Sequence, residues 1–218
     1  MVVCNDTTES VIEFDRQAKA LVFDLDGTVL DTMTHHWQAW YTISKRYDFD
    51  LTKDRLLSMA GMPSVSIMEK LKEEQGLDFD EKEAALEKQR LYARLAEGGT
   101  KTIPQVMQTA IEAKQRGIPC AIATGGSRLQ VEAAMRSSGV IDFFDVVVTC
   151  DDVKEGKPHP ETFLRAAELL GVEPKHCVGF EDAPKGMEAI RRAGFLQAID
   201  VTEYAWYPEV GVIADILL

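Results

Sequence analysis

LVFDLDGTVLDT, residues 21–32, opens as a hydrophobic run long enough for one buried strand. It ends abruptly in two carboxylates, Asp24 and Asp26, with Gly27 and Thr28 directly behind them. Acids at the end of an apolar strand are costly unless something compensates them, and a divalent cation is the usual compensation. An acidic turn after an edge strand would also read Asp-x-Asp-Gly, so the remainder of the chain has to decide.

Downstream of residue 102 the pattern is regular. Short apolar runs stand at Ile118–Ala123, Val146–Thr149, Cys177–Phe180 and Phe195–Val201, with helical periodicity between them at 105–116, 128–138, 160–170 and 184–193. Each helical stretch is followed by a glycine (Gly117, Gly139, Gly171, Gly194), the expected left-handed cap, and Pro160 and Pro184 fall near helix starts. Strands alternating with helices of this length imply right-handed βαβ units and a parallel sheet.

Residues 34–98 break the alternation. They hold no strand-like run but four helical patterns, at 34–47, 53–60, 64–75 and 80–97, the first carrying Trp37, Trp40, Tyr41 and Ser44 on one face. The fold expected is therefore α/β: a Rossmann-like parallel-sheet core from residues 1–32 and 99–218, with an inserted four-helix α-helical cap domain at 33–98. The hinges are expected at Leu30–Met33 and Glu97–Thr102. Residues 1–18 are polar and weakly patterned and read as a frayed lead-in with a short helix near Val11–Ala18.

The 218 residues carry a net charge of −12, which disfavours nucleic acid and anionic membrane surfaces as partners. No apolar run approaches a membrane-spanning length, and MVVCNDTTES lacks the regions of a secretory signal, so a cytoplasmic location is expected, with an organelle as the alternative. Cys4, Cys120, Cys150 and Cys177 show no C-x-x-C pairing and read as small hydrophobes in a reducing compartment rather than as zinc ligands or a disulfide framework.

In a doubly wound sheet, ligands collect outside the carboxyl ends of the strands. Four such ends carry polar residues suited to a single chemistry. They are Asp24-Leu25-Asp26-Gly27-Thr28, Thr124-Gly125-Gly126-Ser127, Glu155-Gly156-Lys157-Pro158, and Glu181-Asp182. Hard oxygen ligands select Mg²⁺ over zinc. With a lysine and the backbone amides of Gly27, Gly125 and Gly126, they form an oxyanion-stabilising site for phosphoryl transfer. A strand-end carboxylate can attack phosphorus directly, and a second acid two residues on can protonate the leaving oxygen and then activate water.

LVFDLDGTVLDT, IATGGS (122–127), EGKPHPETF (155–163) and GFEDAPKG (179–186) together resemble the four ordered motifs of the haloacid-dehalogenase superfamily, with the spacing of its β-phosphoglucomutase-like branch. The resemblance implies Asp24 as nucleophile and Mg²⁺ ligand, and Asp26 as general acid/base with its backbone carbonyl on the metal. It implies Thr124 as a phosphoryl hydrogen-bond partner and Lys157 as the neutralising cation. Asp182 becomes a metal ligand, and Glu181 one directly or through water. The superfamily's dehalogenases lack the second acid of the first motif, so phosphate chemistry is implied.

The helical insert also resembles the family. DTMTHHWQAW (31–40) is similar to its DT-x-x-x-H-x-x-A-W helix, which places His36 and Trp40 near substrate, and Lys88-x-x-x-Tyr92 resembles a further cap element. Gly61-Met62-Pro63 becomes the loop that reads the leaving group. Where family mutases carry a lysine and an arginine around this glycine, the chain has Ala60 and Ser64. The expectation is a monomeric Mg²⁺-dependent phosphatase for a small phosphorylated metabolite, a sugar phosphate. A β-phosphoglucomutase is the alternative, and a catalytically silent ligand-binding protein a third reading.

Overall fold

The computed structural model describes residues 11–59 and 62–207. In chain order these form β1 (Ala20–Phe23), β2 (Leu30–Asp31), α1 (Met33–Arg46), α2 (Lys53–Leu57), α3 (Ser64–Gln75), α4 (Glu81–Glu97), β3 (Lys101–Thr102), α5 (Pro104–Gln115), β4 (Cys120–Ala123), α6 (Arg128–Ser137), β5 (Val146–Val148), α7 (Glu161–Leu170), β6 (Cys177–Glu181), α8 (Pro184–Arg192) and β7 (Gln197–Asp200). The main sheet is parallel throughout, ordered β5-β4-β1-β6-β7, with Phe23 level with Ile122 on one side and Phe180 on the other. The order reverses at β1, so the crevice beside its carboxyl end is the switch point at which ligands gather in such sheets.

The central strands are buried on both faces, which is why they read as unbroken apolar runs. Alternate residues serve opposite layers. Leu21, Phe23, Ile122, Val178 and Phe180 share a cluster with Val106 and Ala110 of α5 and Val131 and Ala134 of α6. Val22, Ala121 and Ala123 pack instead with Phe163 and Ala166 of α7 and Ile190 of α8. The four glycines behind α5, α6, α7 and α8 all take the left-handed conformation expected of them.

Helices α1–α4 bury a separate cluster that includes Trp40, Ile43, Leu56, Met59, Ile67 and Leu71. The burying face of α1 is centred on Ala39, Trp40, Ile43 and Ser44. Tyr41, expected on that face, is exposed, because the bulkier stripe formed by Trp40 and Ile43 sets the rotation. Within the two segments expected as hinges, β2 and β3 pair antiparallel, with Leu30 opposite Thr102 and Asp31 opposite Lys101.

A second expectation fails. Residues 11–18 form no helix. Ile12 is buried in the sheet cluster and donates its N–H to Thr109 Oγ1 of α5, and Asp15 donates its N–H to Gln197 Oε1 of β7. These tertiary bonds replace the local ones a helix would make, and the segment is anchored rather than frayed. Residues 1–10, Cys4 among them, lie outside the described residues. No disulfide joins Cys120, Cys150 and Cys177.

Candidate active site

The expected strand ends converge. Asp24 continues β1 by donating its N–H to Phe180 O of β6, and Thr124 continues β4 by donating to Val148 O of β5. Lys157, in the loop after β5, reaches Asp24 and Glu181 with its side chain fully buried. Its Nζ lies 2.5 Å from Asp24 Oδ1 and 2.7 Å from Glu181 Oε1, and 4.7 Å from the centre of the Phe163 ring. The other oxygen of Glu181 accepts from the backbone N–H groups of Asp182 and Ala183, at 2.7 and 2.6 Å. Glu181 is thereby fixed at both ends, and α8 starts close enough that a Cβ on Gly186 would overlap its carboxyl.

Two buried carboxylates, Asp24 and Glu181, and the part-buried Asp182 stand against one lysine and leave an excess of negative charge. Burial pushes Asp24 up to about 8, with Lys157 pulling the other way and Glu181 and Asp26 adding to the rise. Asp182 is raised well above the usual carboxylate range by burial, then by Glu181 and Asp24. Burial alone would favour neutral Lys157, but Asp24 and then Glu181 outweigh it and keep the ammonium charged. Asp24, Glu181 and Asp182 each offer an oxygen within 4.8 Å of the others, so the donor set is hard, anionic and short of positive charge. These residues fit a divalent cation such as Mg²⁺.

Gly27 takes φ +86°, and a side chain there would strike the Asp182 carboxylate and Tyr207. Its carbonyl accepts from the Tyr207 hydroxyl at 2.8 Å, and the same hydroxyl lies 3.5 Å from Asp182 Oδ2.

Asp26 sits in a different environment two residues on. Its Oδ1 accepts from Thr32 Oγ1 at 2.7 Å and from the Tyr92 hydroxyl at 3.1 Å. His36 Nε2 is also 3.1 Å away, an ion pair only when the imidazole is protonated. Lys88 Nζ meets the other ring nitrogen of His36 at 2.9 Å and stands 5.2 and 5.3 Å from the ring centres of Trp40 and Tyr92. Burial would raise Asp26, yet His36 and Thr32 outweigh it and hold the carboxyl below the usual range. Burial lowers His36, with Lys88 adding to the effect, and brings Lys88 itself down to about 7 against the pull of Asp26. The two neighbouring acids stand in different surroundings, and a divalent cation on Asp24 would favour its charged form.

A model of the haloacid dehalogenase-like hydrolases matches residues 18–194. The chain belongs to that family. Within it, the chain is 34% identical over 188 residues to the fructose-1-phosphate phosphatase YqaB of Escherichia coli (strain K12), covering 86% of this chain and 98% of that one. It is 30% identical over 183 residues to the beta-phosphoglucomutase of Bacillus subtilis (strain 168), covering 81% and 80%. A crystal structure of the beta-phosphoglucomutase from Clostridium difficile superposes with a TM-score of 0.76 at 26% identity, over 83% of each chain. The parallel sheet and its helical layers are thus those of a haloacid dehalogenase-like fold.

Of the residues picked from sequence, Asp24, Asp26, His36, Trp40, Lys88, Thr124, Gly125, Gly126, Glu181 and Asp182 line one cavity. Lys157 is packed beside it, and Gly27 meets Asp182 and Tyr207 rather than the cavity wall. The Thr124 hydroxyl accepts from the Gly126 N–H at 3.0 Å. Gly61, expected to read the leaving group, lies outside the described residues together with Ala60. Sequence reasoning missed Thr32, Gln130 and Tyr207. Thr32 stands in the first motif and was within reach; the other two carry no local signal.

Proposed function

We propose that the protein is a Mg²⁺-dependent phosphatase that hydrolyses a small phosphomonoester, a sugar phosphate, through an aspartyl phosphate on Asp24. The observation that carries this reading is the separation of the two acids: Asp24 against Lys157 and Glu181, Asp26 against Thr32, Tyr92 and His36. The ionised form of Asp24 attacks phosphorus and the ester P–O bond breaks; Asp26, which takes up a proton as the anionic phosphoryl group arrives beside it, delivers that proton to the departing oxygen. Water then attacks the aspartyl phosphate, Asp26 takes its proton, and the P–O bond to Asp24 breaks to release inorganic phosphate. The Thr124 hydroxyl, aimed by the Gly126 N–H, and the Gly125 amide orient the phosphoryl oxygens, while Lys157 offsets charge on Asp24. Asp24 and Asp182, with Glu181 and the Asp26 carbonyl, would hold Mg²⁺, which supplies charge neutralisation to the phosphoryl group.

Residues 33–98 act in this reading as a cap domain over a core of 1–32 and 99–218; support comes from their separate hydrophobic cluster and from the β2–β3 pairing at the two crossings. The substrate class follows the named activities of the phosphatase relatives. Action in the cytoplasm as a monomer completes the proposal. No described helix is long and apolar enough to cross a membrane.

A phosphomutase is the second reading, favoured by the likeness to named beta-phosphoglucomutases. Ser64, where such mutases carry an arginine, opens α3 at the cavity wall and offers no cation for a second phosphate. The test is phosphate release from sugar phosphates by the wild-type protein with Mg²⁺, beside Asp24→Asn. Wild-type turnover by Asp24→Asn would refute the nucleophile, and robust conversion of β-glucose 1-phosphate to glucose 6-phosphate with a bisphosphate primer would favour the mutase.

A further inference from the structure

Part of the cavity wall is carried by the segment that opens α3. Met62, Ser64 and Ile67 line the cavity, and Pro63 is the N-cap of that helix. Pro63 lies against Gly156, in the loop after β5 that also carries Lys157. A Cβ built on Gly156 would stand 2.8 Å from Pro63 Cγ and 2.9 Å from its Cδ. A second element reaches the same segment: Lys185 Nζ, in the first turn of α8, is 2.6 Å from Met62 Sδ. A thioether is only a weak acceptor, so this contact shows where the segment is seated more than what holds it.

The backbone of the loop does not itself require glycine at 156. Its φ lies outside the left-handed region, so alanine would suit the loop and would ordinarily stabilise the protein by restricting the unfolded chain. The obstacle is Pro63, and neither side of the contact yields easily. The proline ring is closed on its own backbone and cannot rotate aside. On the other side, the N–H groups of Lys154 and Glu155 donate to the Glu161 carboxylate at 3.1 and 2.9 Å, and the His159 N–H donates to the Gly156 carbonyl at 3.0 Å. Lys157, the next residue, is held by Asp24 and Glu181. The loop is therefore tied down, and a side chain at 156 would displace the start of α3 instead.

We propose that Gly156 is a positioning residue for the reaction. Its missing side chain lets Pro63 close on the Lys157 loop, and this seat sets Met62, Ser64 and Ile67 against the leaving group. The role rests on the phosphatase reading above, with residues 33–98 as its cap, and it falls on a residue that takes no part in the chemistry.

The experiment is a double-mutant cycle on kcat/KM with Mg²⁺, using the faster of fructose 1-phosphate and glucose 6-phosphate. Gly156→Ala should lower kcat/KM by about tenfold or more, because small displacements of positioning groups are costly. Its melting temperature should equal or exceed that of wild type. Pro63→Ala lacks the two ring carbons that the new methyl group would strike. On that background Gly156→Ala should cost about twofold or less. An equal loss on both backgrounds, in kcat/KM or in melting temperature, would overturn the proposal, since the methyl group would then act on the Lys157 loop and not through Pro63. Wild-type kcat/KM in Gly156→Ala would overturn it as well. A further readout needs no turnover: backbone hydrogen exchange over residues 62–71 should be faster in Gly156→Ala than in wild type. If wild type hydrolyses neither ester, the phosphatase reading fails by itself and exchange decides the seat. Faster exchange then supports it, and unchanged protection overturns it.

Discussion

The Tyr207 hydroxyl donates to the carbonyl of Gly27 at 2.8 Å across 180 residues of chain, and thereby ties the segment after β7 to the turn that follows Asp24 and Asp26. The same hydroxyl stands 3.5 Å from Asp182, so it borders the carboxylate cluster as well. Tyr207→Phe should keep the packing of the ring and lose only this tether, at a cost of about 0.5–1.5 kcal/mol. Affinity for Mn²⁺, read by electron paramagnetic resonance as a stand-in for Mg²⁺, should fall several-fold. Unaltered Mn²⁺ affinity would make Tyr207 a packing residue only.

Gly186 tests the fixation of Glu181. Alanine is ordinarily preferred over glycine inside a helix by about 1 kcal/mol, so Gly186→Ala would stabilise α8 if nothing stood beside it. The Glu181 carboxyl does stand there, held by Lys157 and by two backbone N–H groups. Overpacking at this point should cost about 1–3 kcal/mol and reverse the sign of the substitution. Thermal unfolding of Gly186→Ala should therefore come earlier than wild type, with turnover reduced far more than the stability change alone explains. A raised melting temperature would show that Glu181 moves aside freely.

How much of this was legible beforehand follows from how far apart the interacting residues lie in sequence. Asp24 and Asp26 announce themselves because they end an apolar strand, and the glycines after α5 to α8 because a helix end needs a left-handed residue. Both signals are local. Ile12 gave the opposite impression: its neighbours are polar, and only its bond to Thr109, 97 residues on, shows that it is buried. The β2–β3 pair was hidden because two residues are too few to show a period of two. Gln130 reads as an ordinary residue of the first helical turn, and only the geometry of its amide sets it apart. Tyr207 has no pattern around it that points to Gly27.

Thr32 gives the closest hydrogen bond to Asp26, 2.7 Å from its hydroxyl, at the junction where β2 passes into α1. Thr32→Val preserves shape and β-branching while removing the donor. The hydroxyl is fully buried, so its loss removes a charge-assisted hydrogen bond worth about 1.5–3 kcal/mol. If Asp26 carries the proton as proposed, turnover should fall by about tenfold to a hundredfold through kcat, because its carboxylate loses an orienting hydrogen bond. Steady-state kinetics with a sugar phosphate would check it; a change confined to KM would place Thr32 in substrate binding instead.

The buried thiols make the pH dependence of stability predictable away from the active site. Cys120 in β4 and Cys177 at the start of β6 are fully buried. Burial, with Asp145 adding, pushes Cys120 up to about 12, and burial pushes Cys177 up to about 11, against an ordinary 9.0. The folded state therefore keeps these protons after the unfolded chain has lost them. Above pH 9 the unfolded state binds fewer protons, so stability falls as pH rises, and the contribution is fully present only below that point. In a Cys4→Ser background, a chromogenic disulfide reagent at about pH 8 should leave Cys120 and Cys177 unreacted until denaturant is added. The same reasoning fixes the sign for Cys120→Ala, which loses packing but has no thiol to ionise. Its deficit in urea midpoint relative to the parent should be largest at about pH 8 and shrink by about pH 10, because only the parent is losing the thiol contribution. A deficit that stays constant across that interval would mean that Cys120 ionises as readily in the folded protein as in the unfolded chain.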